Sequence, residues 1–369
     1  MAIKKKILAI PHIGTAFGHF YRMAILLEDF INEYDIFITI PESYVDYCEK
    51  FLNPNIVIIP RQTHSSINGA SGIIDVDGYK LLLTENENIY HTIEPDLIIG
   101  DPGIQASILA TKFSKPWIGI MHGCYLPFPY SMAFSEQNSA LLKSIWDSLN
   151  YQLDKLICLG TNGAFTSWQD IQRTGKVIIP NRISNEPSSI GEYVDLNNIS
   201  SSAWGTHTEV DLLITCCSAG TVSPTSTFLS NITELSKGNV FVAGIRPGDG
   251  QSKVIYLGNN IDYKSLVNED TVVISHGGHG TLQAIGKAKN VFLIPSDLDQ
   301  LYNSIIASTI NGWHLIFDKN WFEVIDSGLL FKREIHWENL VIQSTNNGIE
   351  IKGLEIYKKE QDLIEFNAV

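Results

Sequence analysis

Hydrophobic residues along the chain gather in short continuous runs, which are separated by turn residues or by segments with helical periodicity. Six apolar runs in the first half predict buried strands at residues 6–10, 36–40, 56–59, 97–100, 117–121 and 155–159. The clearest helical pattern between them covers residues 21–30. Continuous rather than alternating apolar strands are typical of parallel sheets that helices cover on both faces. The pattern therefore predicts an α/β fold.

A second series of apolar runs follows a segment of different composition. Residues 181–208 are rich in Ser, Asn, Pro and Gly and lack apolar periodicity, which is typical of a linker. Five further strands are predicted at residues 211–215, 239–243, 254–257, 271–274 and 291–294. We accordingly predict an N-terminal domain at 1–190, a linker at 191–208, a C-terminal domain at 209–350, and a final amphipathic helix within 351–369 that packs back on the N-terminal domain.

The composition is that of an ordinary globular protein. The chain has 369 residues, of which 44% are hydrophobic and 18% charged, enough to build two cores. No apolar run approaches the roughly 20 residues that cross a bilayer, so we expect no transmembrane segment. The opening residues predict a first strand rather than a signal peptide. The five cysteines show neither zinc nor redox spacing, and we expect reduced thiols in a cytoplasmic protein.

The charge balance narrows the choice of partners. With 26 basic residues against 40 acidic ones, the net charge is −14. A nucleic-acid partner is not expected, because phosphate backbones need clustered Lys and Arg side chains. The acidic balance also argues against docking on anionic membranes.

The most informative segment is Ser275-His-Gly-Gly-His-Gly-Thr281, which lies between a predicted strand and a predicted helix. Its three glycines allow a tight turn and a close approach of backbone N–H groups to a ligand. The helix that follows adds the positive end of its dipole, so the segment predicts an anion site, most often a phosphate site. The pair Asp299-Gln300 follows the next strand, on the sheet edge where ligands bind in parallel α/β folds.

This arrangement closely resembles the donor-binding signature of family 1 glycosyltransferases, which share the GT-B fold. The matching positions are His276, Gly278, Thr281, Pro295, Asp299, Gln300 and Asn303. The resemblance implies two Rossmann-like domains that face each other across a cleft. It departs from the family at 288–290, where Gly-x-Pro is usual, and at 283–284, where an acidic residue commonly holds the nucleotide ribose. The resemblance therefore leaves the donor identity open, with UDP- or dTDP-sugars expected.

The resemblance also implies the role of each matching residue. His276, the turn amides of Gly277, Gly278 and Gly280, and Thr281 would hold the donor diphosphate. Asp299 and Gln300 would bind hydroxyls of the sugar. In the loop after the first strand of the second half, Ser218 would be a further diphosphate donor, with Gly220 and Thr221 as alternatives.

The loop after the first predicted strand carries the candidate base. Gly18-His19 before a helix resembles the position of the family's general base, and a histidine suits this work because its ordinary pKa lies near neutrality. His12 in the same loop is the alternative, and a purely structural role for His19 also stays open. Asp101, which ends the predicted strand at 97–100, matches the family's aspartate that orients the base. The alternative for Asp101 is a cap of the helix that begins near Pro102.

An aromatic loop at 122–134 is the candidate acceptor site. Tyr125, Phe128 and Tyr130 could line an apolar acceptor pocket, or the loop could cover the N-terminal core instead. Asp75-Val-Asp77 has the form of a metal-binding motif of another glycosyltransferase fold. It stands isolated between turn residues, so we do not expect a metal site there.

We therefore expect an inverting, metal-independent glycosyltransferase with a nucleotide-sugar donor as co-substrate, a small and apolar acceptor, and no cofactor. Three alternatives remain open. One is a nucleotide-sugar epimerase or hydrolase on the same fold. Another is a transferase for lipid-linked or polymeric glycans, a group that Gly18-His19 near Arg22 also resembles. The last is a GT-B-like accessory subunit without catalysis.

Overall fold

A computed structural model describes the chain at residues 4–13, 17–62, 64, 67–68, 73–128, 139–179, 212–215, 224–236, 240–243, 254–258, 263–317, 320–329, 337, 340–345, 348–352 and 356–357. The chain forms two compact units. Unit 1 contains residues 1–127 and 149–199, and unit 2 contains residues 128–148 and 200–369. The predicted linker at 191–208 lies outside the described residues.

Unit 1 is built on a six-stranded parallel sheet. Its strands in chain order are β1 (Lys5–Pro11), β2 (Tyr34–Pro41), β3 (Ile56–Arg61), β6 (Leu97–Asp101), β7 (Trp117–Ile120) and β8 (Lys176–Ile178). Their spatial order is β3-β2-β1-β6-β7-β8, and every neighbouring pair is parallel. Two short strands, β4 (Ile67–Asn68) and β5 (Ile73–Ile74), form a separate antiparallel pair.

Helices of unit 1 connect the strands. They are Gly18–Glu28, Val45–Cys48, Val76–Ile93, Ile104–Phe113, Ser139–Gly160 (which begins in the chain segment of unit 2) and Trp168–Gln172, with single 3-10 turns at Glu42–Tyr44, Glu49–Phe51 and Gly123–Tyr125. The central strands β1 and β6 are almost wholly buried because helices cover both of their faces. The side chain of Asp75 caps the helix Val76–Ile93 by accepting from the Gly78 backbone N–H at 3.0 Å. Asp75 therefore serves as a helix cap.

Unit 2 repeats the same plan. Its parallel strands are β9 (Leu212–Thr215), β10 (Val240–Ala243), β11 (Val254–Gly258), β12 (Val272–Ser275), β13 (Asn290–Leu293) and β14 (His314–Ile316). The spatial order is β11-β10-β9-β12-β13-β14-β17, in which β17 (Ile356–Tyr357) is antiparallel to β14. The helices are Ser226–Leu235, Tyr263–Leu266, His279–Ala284, Leu298–Asn311 and Asn320–Ser327, and β15 (Val341–Thr345) pairs with β16 (Gly348–Lys352).

Both sheets have the strand order of doubly wound nucleotide-binding folds. Counted along the chain, the six parallel strands of each unit lie in the order 3-2-1-4-5-6. The order reverses between β1 and β6 in unit 1 and between β9 and β12 in unit 2. Ligands of such sheets bind at the carboxyl ends of the strands on either side of this reversal. The α/β prediction is confirmed, and the fold points to one candidate site in each unit.

The strand predicted at 155–159 is wrong, because these residues belong to the helix Ser139–Gly160. The buried side chains of this helix recur every three or four residues: Leu142, Ile145, Trp146, Leu149, Leu153, Leu156 and Ile157. A helical period over 22 residues therefore outweighs the short apolar run at its end.

The predicted C-terminal helix is also wrong where the structure describes it. Residues 351–352 belong to β16, and Ile356–Tyr357 form β17 at the edge of the second sheet. The unpaired backbone groups of β14 give this segment a strand partner, and such tertiary pairing outweighs a weak helical pattern. Residues 358–369 lie outside the described part of the chain. No described helix is long and apolar enough to cross a membrane.

Candidate functional site

The candidate site of unit 1 lies where its strand order reverses. Strand β1 ends at Pro11, which is in register with Asp101 at the end of β6. The next residue, His12, donates its backbone N–H to the Asp101 carbonyl at 2.7 Å. His19 is the second residue of the helix Gly18–Glu28, which begins after the loop that follows β1. The sheet therefore brings together two residues that lie 82 positions apart in the chain.

The carboxylate of Asp101 is fully buried and accepts three hydrogen bonds. His19 Nδ1 lies 2.7 Å from Oδ1. Arg22 binds the same carboxylate in a bidentate manner, with Nη2 2.8 Å from Oδ1 and Nε 2.9 Å from Oδ2. His19 and Arg22 are three residues apart on one helix, so both side chains reach the carboxylate from the same face.

This geometry sets the tautomer of His19. A carboxylate only accepts, so His19 Nδ1 carries the proton, and Nε2 keeps the lone pair that a general base needs. The contact of 2.8 Å between Arg22 Nη2 and His19 Nδ1 arises because both nitrogens donate to the same oxygen, Oδ1. The arrangement matches the orientation of a base by a carboxylate in catalytic triads.

Arg22 also keeps Asp101 ionised. Burial alone would raise the pKa of Asp101, but the charges of Arg22 and His19 and their hydrogen bonds outweigh burial and lower it. The N-cap of the helix Ile104–Phe113 is Gly103, so Asp101 does not cap that helix, and the cap alternative is ruled out. The Asp101 side chain bonds to His19 rather than to the side chain of His12.

The sequence pattern marked Arg22 only through its nearness to Gly18-His19, which resembles transferases of lipid-linked or polymeric glycans, and did not predict its bond to Asp101. The signal was present, because Arg22 lies three residues after His19 and interrupts the apolar face formed by Phe20, Met23 and Leu26. A charged residue on the buried face of a helix requires a buried partner. Arg22 is only 7% exposed, and Asp101 is the partner.

His12 lies beside the pair without joining its hydrogen bonds. The ring centroids of His12 and His19 are 5.7 Å apart in an edge-on arrangement. The His122 ring is nearly parallel to His19, with a centroid distance of 6.2 Å. His19 therefore has two further imidazole rings within about 6 Å of its own.

Tyr125 and Phe128, the two proposed acceptor residues of the aromatic loop that the structure describes, have different neighbours. The Tyr125 ring contacts His122 edge-on at 5.8 Å, which brings Tyr125 to the neighbourhood of His19. The carbonyl of Tyr125 is fixed by Trp168 Nε1 at 2.9 Å and by Gln172 Nε2. Phe128 instead packs on Trp146 at 5.4 Å, within unit 2, and Tyr130 lies outside the described residues.

The candidate site of unit 2 lies at the equivalent reversal, between β9 and β12. Ser275 at the end of β12 is in register with Thr215 at the end of β9, and the glycine turn follows. Gly277 has φ +85°, and a Cβ at this position would lie 2.0 Å from Ser304 Oγ. The turn therefore requires glycine for its conformation and for its contact with the helix Leu298–Asn311.

The turn continues directly into the short helix His279–Ala284, whose N-cap is Gly278. The backbone N–H groups of Gly280 and Thr281 consequently belong to the first helical turn, in which N–H groups have no partner within the helix. A Cβ on Gly278 would lie 2.6 Å from His276 Nε2, so the turn packs closely on that ring. Ser218 lies outside the described residues.

His276 is fixed by a backbone carbonyl. Its Nδ1 lies 3.0 Å from the Thr215 oxygen and donates to it, so Nε2 of the neutral ring carries a lone pair. Burial lowers the pKa of His276, although the bond to Thr215 acts in the opposite direction. To donate from Nε2 to a phosphate, the ring must therefore take up a proton.

Asp299 and Gln300 lie in the first turn of the helix Leu298–Asn311, after β13. The amide oxygen of Gln300 accepts from the Ser296 backbone N–H at 2.9 Å and from its hydroxyl at 2.8 Å. This fixes the side chain and leaves the Nε2 hydrogens of Gln300 to donate. Asp299 accepts from Asn303 Nδ2 at 3.2 Å and remains partly exposed.

Asp297 is a second residue that the sequence analysis missed. Its carboxylate caps the helix Leu298–Asn311 by accepting from the Gln300 backbone N–H at 2.7 Å. Burial and the neighbouring charge of Asp299 raise the pKa of Asp297 to about 7. An aspartate as N-cap is recognisable from the sequence, since it precedes the first apolar residue of the helix.

Among the residues that the structure describes, no group of three His, Cys, Asp or Glu side chains could hold a metal ion. The polar groups of the two sites are imidazoles, backbone amides and the Gln300 amide, together with the carboxylates of Asp101 and Asp299, which accept hydrogen bonds.

Comparisons with known proteins agree with this architecture. No family model matches the sequence, and no curated protein matches it either. Among solved structures, the glycotransferase of kitacinnamycin is 14% identical with a TM-score of 0.55 and covers 85% of this chain and 86% of its own. The glycosyltransferase SsfS6 from Streptomyces sp. SF2575 is 15% identical with a TM-score of 0.53 and covers 88% and 94%.

A third similar structure is UGT89C1 from Arabidopsis thaliana in complex with UDP-L-rhamnose. It is 12% identical with a TM-score of 0.50, and it covers 86% of each chain. At such low identity these likenesses establish the fold. The protein has the GT-B fold of the nucleotide-sugar glycosyltransferases, with one Rossmann-like sheet in each of its two units.

Proposed function

We propose that the protein is an inverting glycosyltransferase that moves a sugar from a nucleotide diphosphate to a hydroxyl of a small acceptor without a metal ion. The observation that carries this proposal is the His19–Asp101 pair, with a bond of 2.7 Å, at the strand reversal of unit 1. The three solved structures of the same fold are named as a glycotransferase, a glycosyltransferase and a complex with UDP-L-rhamnose.

The proposed reaction is a single displacement. Nε2 of His19 removes the proton of the acceptor hydroxyl, and the oxygen attacks the anomeric carbon of the donor sugar. The bond from this carbon to the diphosphate oxygen breaks, and the electron pair leaves with the diphosphate. One displacement inverts the anomeric configuration. Asp101 stabilises the imidazolium that forms, as the carboxylate does in triads.

The leaving diphosphate gathers negative charge during this step. In the proposal, the backbone N–H groups of Gly278, Gly280 and Thr281 donate to it, and His276 donates from Nε2 once protonated. The Gly277 N–H already donates to Ser275 Oγ at 3.2 Å, so Gly277 contributes the shape of the turn. Preorganised donors of this kind stabilise charge that develops in the transition state. They take the place that a metal ion holds in other glycosyltransferases. Ser218 remains a proposed further donor.

The sugar is assigned to the loop after β13. The fixed Gln300 amide presents N–H donors, and the partly exposed Asp299 carboxylate presents an acceptor, which together suit the hydroxyls of a sugar. For the donor we propose a UDP- or dTDP-sugar. Tyr125 and Phe128 remain proposed acceptor contacts, with Tyr125 the better supported because its ring contacts His122 beside His19.

We also propose a cytoplasmic location. Among the cysteines that the structure describes, Cys48 and Cys158 are free thiols, and Cys48 is buried. Reduced cysteines of this kind are usual in the cytoplasm, where disulfides are rare.

Replacement of His19 by Ala tests the base. We expect the turnover number to fall about 10²–10⁴-fold, the usual contribution of a positioned proton transfer. The assay uses mass spectrometry to separate transfer to an aliphatic alcohol from hydrolysis of the nucleotide-sugar. His12→Ala is the matched control, because His12 lies in the same loop without a bond to the Asp101 side chain. Full transfer by His19→Ala with an inactive His12→Ala would move the base to His12.

Replacement of Arg22 by Met tests the support of Asp101. Loss of one partner of a buried ion pair should lower the free energy of unfolding by about 3–5 kcal/mol. Without Arg22 the Asp101 carboxylate should no longer hold His19 in one orientation, so the turnover number should fall as well. Arg22→Lys should restore part of both effects. The exposed Arg173→Met is the control, and an unchanged turnover number in Arg22→Met would contradict the role.

His276 predicts a proton linkage on donor binding. Because its pKa is lowered in the free protein, the ring is neutral near pH 7, and an adjacent diphosphate raises that pKa. Binding of a UDP-sugar, whose phosphates do not titrate near neutrality, should therefore take up protons and weaken as pH rises. Calorimetry in buffers of different ionisation enthalpy measures this uptake. It should vanish in His276→Gln, and equal uptake by the variant would refute the assignment.

Asp299 and Gln300 can be separated from the diphosphate contacts. Asp299→Asn and Gln300→Glu should lower kcat/KM about 10–100-fold, the scale of a hydrogen bond that involves a charge. Gln300→Glu keeps a side-chain oxygen that accepts from Ser296 and removes only the N–H groups of the amide. Affinity for free UDP, measured by calorimetry, should change little. A loss of UDP affinity as large as the loss of turnover would show that these residues hold the nucleotide or the fold.

A further inference from the structure

Arg61 ends strand β3 on the same sheet edge as the candidate base. It is in register with Pro41 at the end of β2. Strand β1 pairs with β2 in parallel, with Ala9 in register with Ile38. Three residues farther along both strands, His12 therefore comes opposite Pro41 as well. Arg61 and His12 therefore lie at one level of the carboxyl edge, and their backbones are two strand spacings, or about 10 Å, apart across the sheet.

The side chain of Arg61 is buried and has no partner among the described residues. Arg61 is 4% exposed, and its Nε has no hydrogen-bond acceptor. In the described part of the chain, no carboxylate lies within 4.0 Å of its guanidinium. Burial of an unpaired cation costs several kcal/mol, which is why buried arginines are normally paired.

Glu85, whose charge acts on Arg61, does not form an ion pair with it. Burial lowers the pKa of Arg61, and the charge of Glu85 acts in the opposite direction from beyond ion-pair distance. Glu85 accepts from the Gln62 backbone N–H at 2.6 Å, and its other oxygen lies 3.8 Å from His64 Nε2. The other carboxylate of this edge, Asp101, is already neutralised by Arg22.

The charge of Arg61 acts on the groups beside the base. Burial and the charges of His19 and Arg61 lower the pKa of His12, whereas the charge of Asp101 raises it. Aromatic rings that follow β2 and precede the first helix add apolar surface at the same edge. Phe17 contacts Tyr47 at 4.6 Å and Tyr44 at 5.3 Å, and all three rings are half-buried.

We propose that Arg61 binds an acidic group of the acceptor, so that the acceptor is a hydroxy acid with an apolar body. The guanidinium would take a carboxylate through two parallel N–H bonds, a geometry that lysine does not reproduce. The hydroxyl of the same molecule would reach His19, whose ring centroid lies 5.7 Å from that of His12. This inference rests on the proposed transferase function, because it names the substrate of that site.

The test measures binding without any donor, so that its failure and a failure of the transferase proposal are distinguishable. The probes are para-hydroxybenzoate, para-coumarate and a medium-length omega-hydroxy fatty acid, each paired with its methyl ester. Calorimetry or ligand-observed NMR gives the ratio of the two dissociation constants for each pair. For the natural protein we expect at least one acid to bind about 10–100-fold more tightly than its ester.

Arg61→Met should abolish this preference, and Arg61→Lys should restore only part of it. Arg173→Met, which removes an exposed arginine, should leave the preference intact. Thermal stability of Arg61→Met should equal or exceed that of the natural protein, because the substitution removes a buried charge without breaking a pair. Affinity for UDP should stay unchanged in Arg61→Met.

Several results would overturn the proposal. One is equal binding of every acid and its ester by the natural protein, including no binding of either. Another is an acid preference that persists in Arg61→Met. Binding of inorganic phosphate alone, without preference for any acid, would make Arg61 a site for a free anion. A loss of UDP affinity in Arg61→Met would assign the arginine to the donor.

Discussion

The buried carboxylate of Asp101 is the interaction on which the candidate chemistry of this protein depends. It lies at the end of a central strand, wholly removed from water, where an unpaired charge would not be tolerated. Arg22 compensates that charge through two bonds, and the position of Arg22 in turn fixes the rotation of the helix Gly18–Glu28 on the sheet. His19 on the same helix is thereby aimed at the remaining lone pair of Oδ1. Such a pair contributes orientation more than stability, since a hydrophobic pair could fill the same space at no loss.

The same topological device appears in both units. Each sheet reverses its strand order once, and at each reversal the residue ending one strand binds a group that follows the other. In unit 1, Asp101 receives His19, and in unit 2 the Thr215 carbonyl receives His276. The two imidazoles have different partners and hence different chemistry. The Asp101 carboxylate would stabilise an imidazolium at His19, whereas burial, which the bond to the neutral Thr215 carbonyl only partly offsets, lowers the pKa of His276 and favours its neutral form.

Much of this could be predicted from the sequence, and the exceptions have physical reasons. The central strands could be predicted because burial on both faces requires continuous apolar runs. The glycine turn could be predicted because no residue with a side chain fits at Gly277 beside Ser304. The helix Ser139–Gly160 was misread at its end because four apolar residues in a row fit either period. The strand Ile356–Tyr357 depends on an edge of β14 that only the folded sheet supplies. Asp297 and Arg61 belong to no chemical motif, and Arg22 was noted only for its nearness to Gly18-His19. The roles of all three depend on which groups the fold buries beside them.

The contact between Gly277 and the helix Leu298–Asn311 has a mechanical consequence. A Cβ at Gly277 would meet both Ser304 Oγ and the Gln300 carbonyl, so the turn and the first turns of that helix touch without any intervening layer. Gln300 is tied in addition to Ser296, at the end of the preceding loop. The turn that is proposed to bind phosphate and the helix that is proposed to bind the sugar are thus in direct contact. We expect a displacement of the turn to move the helix with it, which would keep the spacing between a bound diphosphate and its sugar constant.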